Sequence, residues 1–362
     1  MSSLYERASV IAGRSATRSK SPDRLLKAWA AHGDGATVYD TEGRAFIDMV
    51  CGLGAISLGY GRRNAGARGV YSLPHVREID AIEMILRDVA PWASSARPLK
   101  TGSEATHAAY RIAKAATGRS VVLIGDWAYH GWHEWCSPGG SGVVRYPLGF
   151  DLRHVDRVED IAAVFVEPPR FDPVDPEWLR DVRAWCTRVG ALLVFDSMLY
   201  GGRWALGGAS QYFGVPPDLE CFGKAFGNGE AIAFVVGRDA LAEHGEIVSG
   251  TFSGDVTGLS ALCDTLARYR TEPVIETMWT RGRQLREGFE VVVPASFAVL
   301  DGDPPLQRIT FTHPEHKISF KDAMADRSVL MYPEWFMTMA AHTEQQIDQV
   351  IAATEASCRT LS

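Results

Sequence analysis

The sequence predicts an α/β protein: a large domain with a mostly parallel, mixed sheet covered by helices, and a smaller α+β domain. Three observations carry this. Short apolar runs, SVVLIGD (120–126), IAAVFVEPP (161–169) and ALLVFD (191–196), lack polar alternation and so predict strands buried on both faces. Helical stretches alternate with them, as parallel strands require. After about residue 265 that alternation stops and longer polar helices with a few strands follow.

Taken in order, residues 37–49 (TVYDTEGRAFIDM) read as a hairpin, two alternating stretches around a polar turn with Gly43. Val76 to Val89 has apolar residues at helical spacing: Ile79, Ile82, Ile85, Leu86 and Val89. Glu104 to Ala116 is a second helix, ended by Gly118. The three apolar runs give three strands, and the helix Pro176 to Val189 passes through Gly190 into the third. CFGKAF (221–226) and AIAFVVG (231–237) read as two further strands around a turn. Beyond 265 come a long polar helix, strand-like pieces VVVPASFAVL and LQRITFTH, and an amphipathic helix Glu344 to Cys358. The large domain is expected over 55–265. The small domain is expected from both termini, 1–54 and 266–362, with the N-terminal hairpin packed on the C-terminal lobe.

Bulk properties exclude several classes. A 362-residue chain with 46% hydrophobic and 22% charged residues buries a core without disulfides or structural metal. Net charge is −7, and no basic block forms a nucleic-acid footprint; the basic stretch Arg14 to Arg24 reads as a solvated arm. The start lacks the apolar core of a signal peptide, and no apolar run is long enough to span a bilayer. Six scattered cysteines without a CxxC pair predict a reduced cytoplasmic protein, with Cys186 and Cys221 as small core residues. The 35 glycines are an excess that points to tight turns and close backbone approaches.

Four local features carry chemistry, each with a plainer reading beside it. Lys224 follows an apolar strand; desolvation there lowers an amine's pKa and suits Schiff-base chemistry, while the plainer reading is a snorkelling surface lysine. Asp196 ends an apolar strand, where open α/β sheets bind ligands, or it is a helix N-cap. Thr101, Gly102 and Ser103 precede a helix, a place for a phosphate on free N–H groups, or a simple cap. In DWAYHGWHEW (126–135) the aromatic residues could stack on a flat ligand. A metal on His130 and His133 is conceivable, but no acidic or thiol set completes it. Together, an anion-binding helix start, a stacking ring, a strand-end carboxylate and a lysine 28 residues later are what a pyridoxal phosphate enzyme needs.

On these residues the sequence resembles the class III aminotransferases of the fold-type I pyridoxal phosphate enzymes, and is most similar to the glutamate-1-semialdehyde aminomutase branch. The resemblance rests on KTGSEATHAAYRIAKAATGR, AYHGWHEW, FVEPP, ALLVFDSMLYGGRWALGGASQYFGVPPDLECFGKAFGNG, GTFSGD and AAHTEQQIDQVIAA. It implies pyridoxal 5'-phosphate as cofactor, Lys224 as the aldimine lysine and Asp196 against the pyridine nitrogen. It implies Gly102 and Ser103 at the phosphate, Tyr129 on one ring face and Met198 on the other. Thr251 matches a residue that reaches the phosphate from the neighbouring subunit, which implies a homodimer with shared active sites. The implied activity is amino-group chemistry on a small amine or amino acid, as aminotransferase or aminomutase. A decarboxylase or epimerase on the same fold is the alternative, and a non-catalytic binding protein a further one. Arg203, Arg308, His75 and Trp132 are candidates for substrate contact, the two arginines equally for structural ion pairs.

The chain also departs from the pattern. Ser197 stands where Glu usually follows the strand-end Asp, and Lys100 where a small polar residue is usual. The segment 58–72, with glycines at 59, 61, 66 and 69, is shorter than its counterpart and is expected to form a flexible loop. These changes bear on the substrate rather than on the cofactor.

Overall fold

The computed structural model describes residues 25–61, 69–72 and 74–361. The stretch 14–24 and residues 62–68 of the segment 58–72 lie outside the described residues. In chain order the strands are β1 (Ala30–Asp34), β2 (Thr37–Asp40), β3 (Ala45–Asp48), β4 (Ser95–Leu99), β5 (Val121–Gly125), β6 (Val143–Tyr146), β7 (Ile161–Val166), β8 (Leu192–Asp196), β9 (Leu219–Phe222), β10 (Ala233–Gly237), β11 (Ala298–Asp303), β12 (Leu306–Phe311), β13 (Val329–Leu330) and β14 (Trp335–Met337). The helices are α1 (Val76–Met84), α2 (Gly102–Thr117), α3 (Pro176–Val189), α4 (Gly208–Phe213), α5 (Asp239–His244), α6 (Val256–Thr271), α7 (Val274–Val292), α8 (His316–Ala325) and α9 (Glu344–Leu361). They fall into two compact units, Asn64–Ile275 and Met1–Arg63 with Glu276–Ser362.

The central unit is built on a sheet of order β4-β10-β9-β8-β7-β5-β6. Strands β9, β8, β7, β5 and β6 are parallel, and β10 runs antiparallel to both of its neighbours. Alternation along β8 explains why the run is apolar throughout. Val194 packs with Ala108, Ala109 and Ile112 of α2 on one face. Leu193 and Phe195 pack with Leu179, Val182 and Trp185 of α3 on the other. Further along the sheet, Phe222, Phe234 and Val236 meet Leu259, Leu262 and Leu266, which ties α6 to this unit. The edge strand β4 carries Pro98, a position where a missing N–H is tolerated.

The terminal unit holds two small sheets, β1-β2-β3-β13 and β11-β12-β14. The hairpin of β2 and β3 is joined by β13, with Val329 paired in parallel to Ile47, so the C-terminal chain completes the N-terminal sheet. Leu285, Phe289, Phe320, Phe336, Ile347 and Val350 form its core. Among the described residues no helix is long and apolar enough to cross a membrane.

Two elements differ from the sequence reading. The expected strand 221–226 stops at Phe222, because Lys224 takes a left-handed φ of 47° and opens a 3-10 turn, Lys224–Gly227. Val291 and Val292 end helix α7 rather than start a strand. Leu285, Phe289 and Val293 recur every four residues on the buried side, and Pro294 then stops the helix. Tertiary packing here outweighs the β-preference of three valines.

Candidate active site

Parallel strands deliver their C-terminal ends to one edge of the central sheet, and the chemistry gathers there. Asp196 closes β8 and is 2% exposed. Its Oδ2 lies 2.8 Å from His130 Nδ1, and its Oδ1 accepts the Met198 N–H at 3.1 Å. His130 belongs to the loop after β5. Its carbonyl accepts the Thr106 hydroxyl of α2 at 2.6 Å, and its ring stacks on Trp135 with centroids 6.1 Å apart. Among the described residues the buried Nε2 of His130 has no hydrogen-bond partner.

Lys224 is half-buried directly after β9. Burial pushes its ammonium down to about 8, against the opposing pull of Glu167 and Asp196; Arg170 and Arg203 add to the lowering. Glu167, just past β7, accepts the Tyr129 N–H at 2.7 Å and faces Arg170 Nε at 3.1 Å. The charges of two carboxylates and two guanidiniums thus act on one amine, and its lowered pKa keeps a usable fraction neutral near pH 7 to 8.

The cradle lies at the start of α2. Thr101 caps the helix and Glu104 returns a side-chain bond to the Thr101 N–H, leaving Gly102 and Ser103 in the first turn. A Cβ on Gly102 would stand 3.0 Å from Met198 Sδ. Gly131 has φ +104°, and a Cβ there would stand 2.3 Å from Ser103 Oγ. The backbone therefore crowds Ser103 and Met198 where a side chain would fill the space. Tyr129 is 59% exposed and Trp132 76%.

The structure thus brings Lys224, Asp196, Gly102, Ser103, Tyr129 and Met198 into one connected set. Thr251 is not part of it: it lies in an exposed turn and lines a cavity of about 390 Å³ with Tyr71, Glu78 and Arg97. His133 pairs with His107 (Nδ1 to Nδ1, 2.9 Å), so the two histidines of the aromatic segment serve different partners. Arg203 is wholly buried. Arg308 sits on β12 with its Nη2 3.8 Å from Asp301. His75 caps α1 by accepting the Arg77 N–H, and Trp132 packs edge-on against His133. Lys100 pairs with Asp255 at 2.6 Å and is taken up structurally. All six cysteines are free and buried; burial pushes Cys186 up to about 12 and Cys221 well above its ordinary value.

Sequence reasoning missed three buried residues in or beside this site. His130 drew notice only as a metal ligand. Glu167 ends an apolar run just as Asp196 does, and that shared signature could have found it. Glu220, inside the run LECF, is wholly buried, and burial pushes its carboxyl up to about 7.

The residues fit a pyridine ring bearing a phosphate: an open helix start with Gly102 and Gly131 for the anion, a buried carboxylate for the ring nitrogen, an exposed tyrosine ring, and an amine of lowered pKa. That combination on a mostly parallel mixed sheet defines the fold-type I pyridoxal phosphate enzymes. The chain belongs to the class III aminotransferases. Residues 151–296 match that family. The chain is 31% identical over 319 residues to a 3-aminobutyryl-CoA aminotransferase of Cloacimonas acidaminovorans, covering 78% of this chain and 76% of the relative. It is 31% identical over 355 residues to a glutamate-1-semialdehyde 2,1-aminomutase of Natronomonas pharaonis, covering 86% and 79%. The internal aldimine form of a Sphingopyxis FumI protein superposes with a TM-score of 0.91 at 27% identity, over 99% of this chain and 95% of that one. An omega-transaminase from Sphaerobacter thermophilus shares the fold with a TM-score of 0.86 at 21% identity, over 98% and 96%. The protein is a pyridoxal phosphate-dependent enzyme of the aminotransferase and aminomutase type.

Proposed function

We propose that the protein moves the amino group of a small amine or amino acid, as an aminotransferase or aminomutase, with Lys224 as the covalent lysine. The carrying observation is the position of Lys224: an amine of lowered pKa, under the charges of Glu167 and Asp196, just past the end of β9 at the ligand-binding edge of the sheet. Pyridoxal phosphate, when bound, supplies an electron sink for charge on the carbon that bears the amino group. The chain's own residues do the rest. Gly102 and Ser103 would receive the phosphate at the start of α2, and Tyr129 and Met198 would lie against the ring. Asp196, oriented by His130 and the Met198 N–H, holds a proton on the ring nitrogen. With the cofactor held there, Lys224 Nζ would serve as the nucleophilic amine and, when free, as the base and acid that takes the substrate's proton and returns it at a neighbouring atom.

We also propose that the central unit is the cofactor domain, that the terminal unit is the smaller domain, and that the enzyme works as a homodimer. Thr251 would complete the partner's phosphate site. Its support is the exposed apolar side chains Tyr71, Val76, Ile79 and Phe252, which sit on the segments that line or flank the cavity around Thr251. Free buried cysteines suit the cytoplasm.

The test is a half-reaction. Mixed with an amine donor and no acceptor, the yellow protein should bleach, and a keto acid should restore the colour. A product whose amino group has moved to the neighbouring carbon, formed without an acceptor, identifies the aminomutase. Release of carbon dioxide with the colour retained would overturn the reading in favour of a decarboxylase.

A further inference from the structure

Glu220 has no place in the chemistry described so far. It lies on β9 between Leu219 and Cys221 and is wholly buried. Cys221 turns to α2, where its thiol reaches the Ala105 carbonyl. Glu220 therefore faces the other side of the sheet. There its Oε1 accepts hydrogen bonds from Ser197 Oγ at 2.5 Å and from the Ser210 N–H at 3.2 Å. Ser197 Oγ also accepts the Ala209 N–H at 2.8 Å, and the Ser197 N–H donates to the Cys221 carbonyl at 2.9 Å.

Ser197 is thus fixed by both main chain and side chain, and it is covalently next to Asp196. On its other side, Met198 donates its N–H to Asp196 Oδ1. The turn 196–198 is held from one face by His130 and from the other by Glu220. Burying a carboxyl in a packed sheet is costly, and an apolar residue would serve β9 better for stability alone. The other Glu220 oxygen, Oε2, has no hydrogen-bond partner among the described residues, so the group is kept for what Oε1 holds. The family resemblance implies a glutamate at 197, where this chain has serine.

We infer that Glu220 is a positioning residue for Asp196, acting through Ser197, and that its carboxyl group occupies in space the role of the carboxylate missing at position 197. This rests on the assignment of Asp196 to the cofactor ring.

A transposition experiment tests it, read by cofactor affinity of the apo-protein and by the pH at which the visible band changes. Glu220→Thr should weaken cofactor binding by about tenfold or more, through the loss of a buried acceptor, and should move the band transition. Ser197→Glu alone should do the same, since two carboxyl groups then meet in one buried space. The double variant Ser197→Glu/Glu220→Thr should return to within about threefold of wild type. Glu220→Gln should keep wild-type affinity, because its amide oxygen accepts the same two bonds. A Glu220→Thr protein with wild-type affinity and spectrum, or a double variant no better than the worse single one, would overturn the inference. Where a single variant fails to fold, soluble folded double variant supports it, and its absence overturns it. Asp196→Ala separates the two kinds of failure. If it loses affinity while Glu220→Thr does not, the Glu220 inference falls alone. If it behaves as wild type, the Asp196 assignment falls and takes the inference with it.

Discussion

His130 Nδ1 lies 2.8 Å from Asp196 Oδ2, inside a sheet edge where both side chains are buried. A hydrogen bond to a buried charge is among the stronger ones, and removing one partner leaves the other desolvated. His130→Phe keeps the ring that stacks on Trp135 and removes the nitrogen. Turnover should fall by about tenfold to a hundredfold, and the visible band of the bound cofactor should shift. His130→Asn, which keeps a donor, should recover part of both. Steady-state rates and absorbance spectra check this, and His130→Phe with wild-type values of each would remove His130 from the site.

Gly131 supports the cradle by having no side chain. At φ +104° with Ser103 Oγ 2.3 Å from the missing Cβ, alanine strains the backbone and displaces Ser103. Gly131→Ala should lose about 1–3 kcal/mol of stability in chemical denaturation. It should also lose cofactor affinity by more than Gly118→Ala, a control at another left-handed glycine with open space around it. Equal affinity in the two variants would place the phosphate elsewhere.

Much of this was legible beforehand, and the exceptions share a cause. The runs ending at Asp196 and Gly125 are buried on both faces, so composition alone marks β8 and β5. Helix α3 announces itself by Pro176 at its start and Gly190 past its end. The missed strands are short edge pieces: β4 with an arginine and a proline, β6 with an exposed valine and arginine. Their pairing comes from neighbours, not from their own pattern. The proposed site is readable where identity and spacing carry the chemistry, as proposed for Lys224 and Asp196. It is illegible where a residue acts through contact: nothing in the spacing of Ser197 and Glu220 says that they meet.

Thr251 stands apart from Lys224 in this chain, so sharing between protomers predicts complementation. Lys224→Ala lacks the covalent amine, and Thr251→Asp would set a negative charge against a phosphate. Each homodimer should be inactive or nearly so. After unfolding and refolding together, about half of the mixed protein should be heterodimer, in which one site carries both wild-type residues. About a quarter of wild-type activity should return. A mixture no more active than the average of its parents would show that Thr251 serves its own chain or no site.

Lys224 also fixes a pH signature of the protein without cofactor. Its folded-state pKa lies near 8, below the ordinary lysine value near 10.5, because burial disfavours the charge. Folding therefore releases a proton between those values, and the unfolded chain binds more protons there than the native one. The sign follows: the cost of a buried ammonium is present in full below pH 8, shrinks as pH rises through 8, and is gone above about 10.5. Lys224→Met keeps the side chain's length and discards the charge. The apo-variant should melt above apo-wild type at pH 7, and the gap should close toward pH 10, although the variant is catalytically dead. Differential scanning calorimetry of both apo-proteins from pH 6.5 to about 10 measures it. A gap that is constant over this range, or that widens with pH, would mean that Lys224 is solvated in the folded protein and that its reactivity has another source.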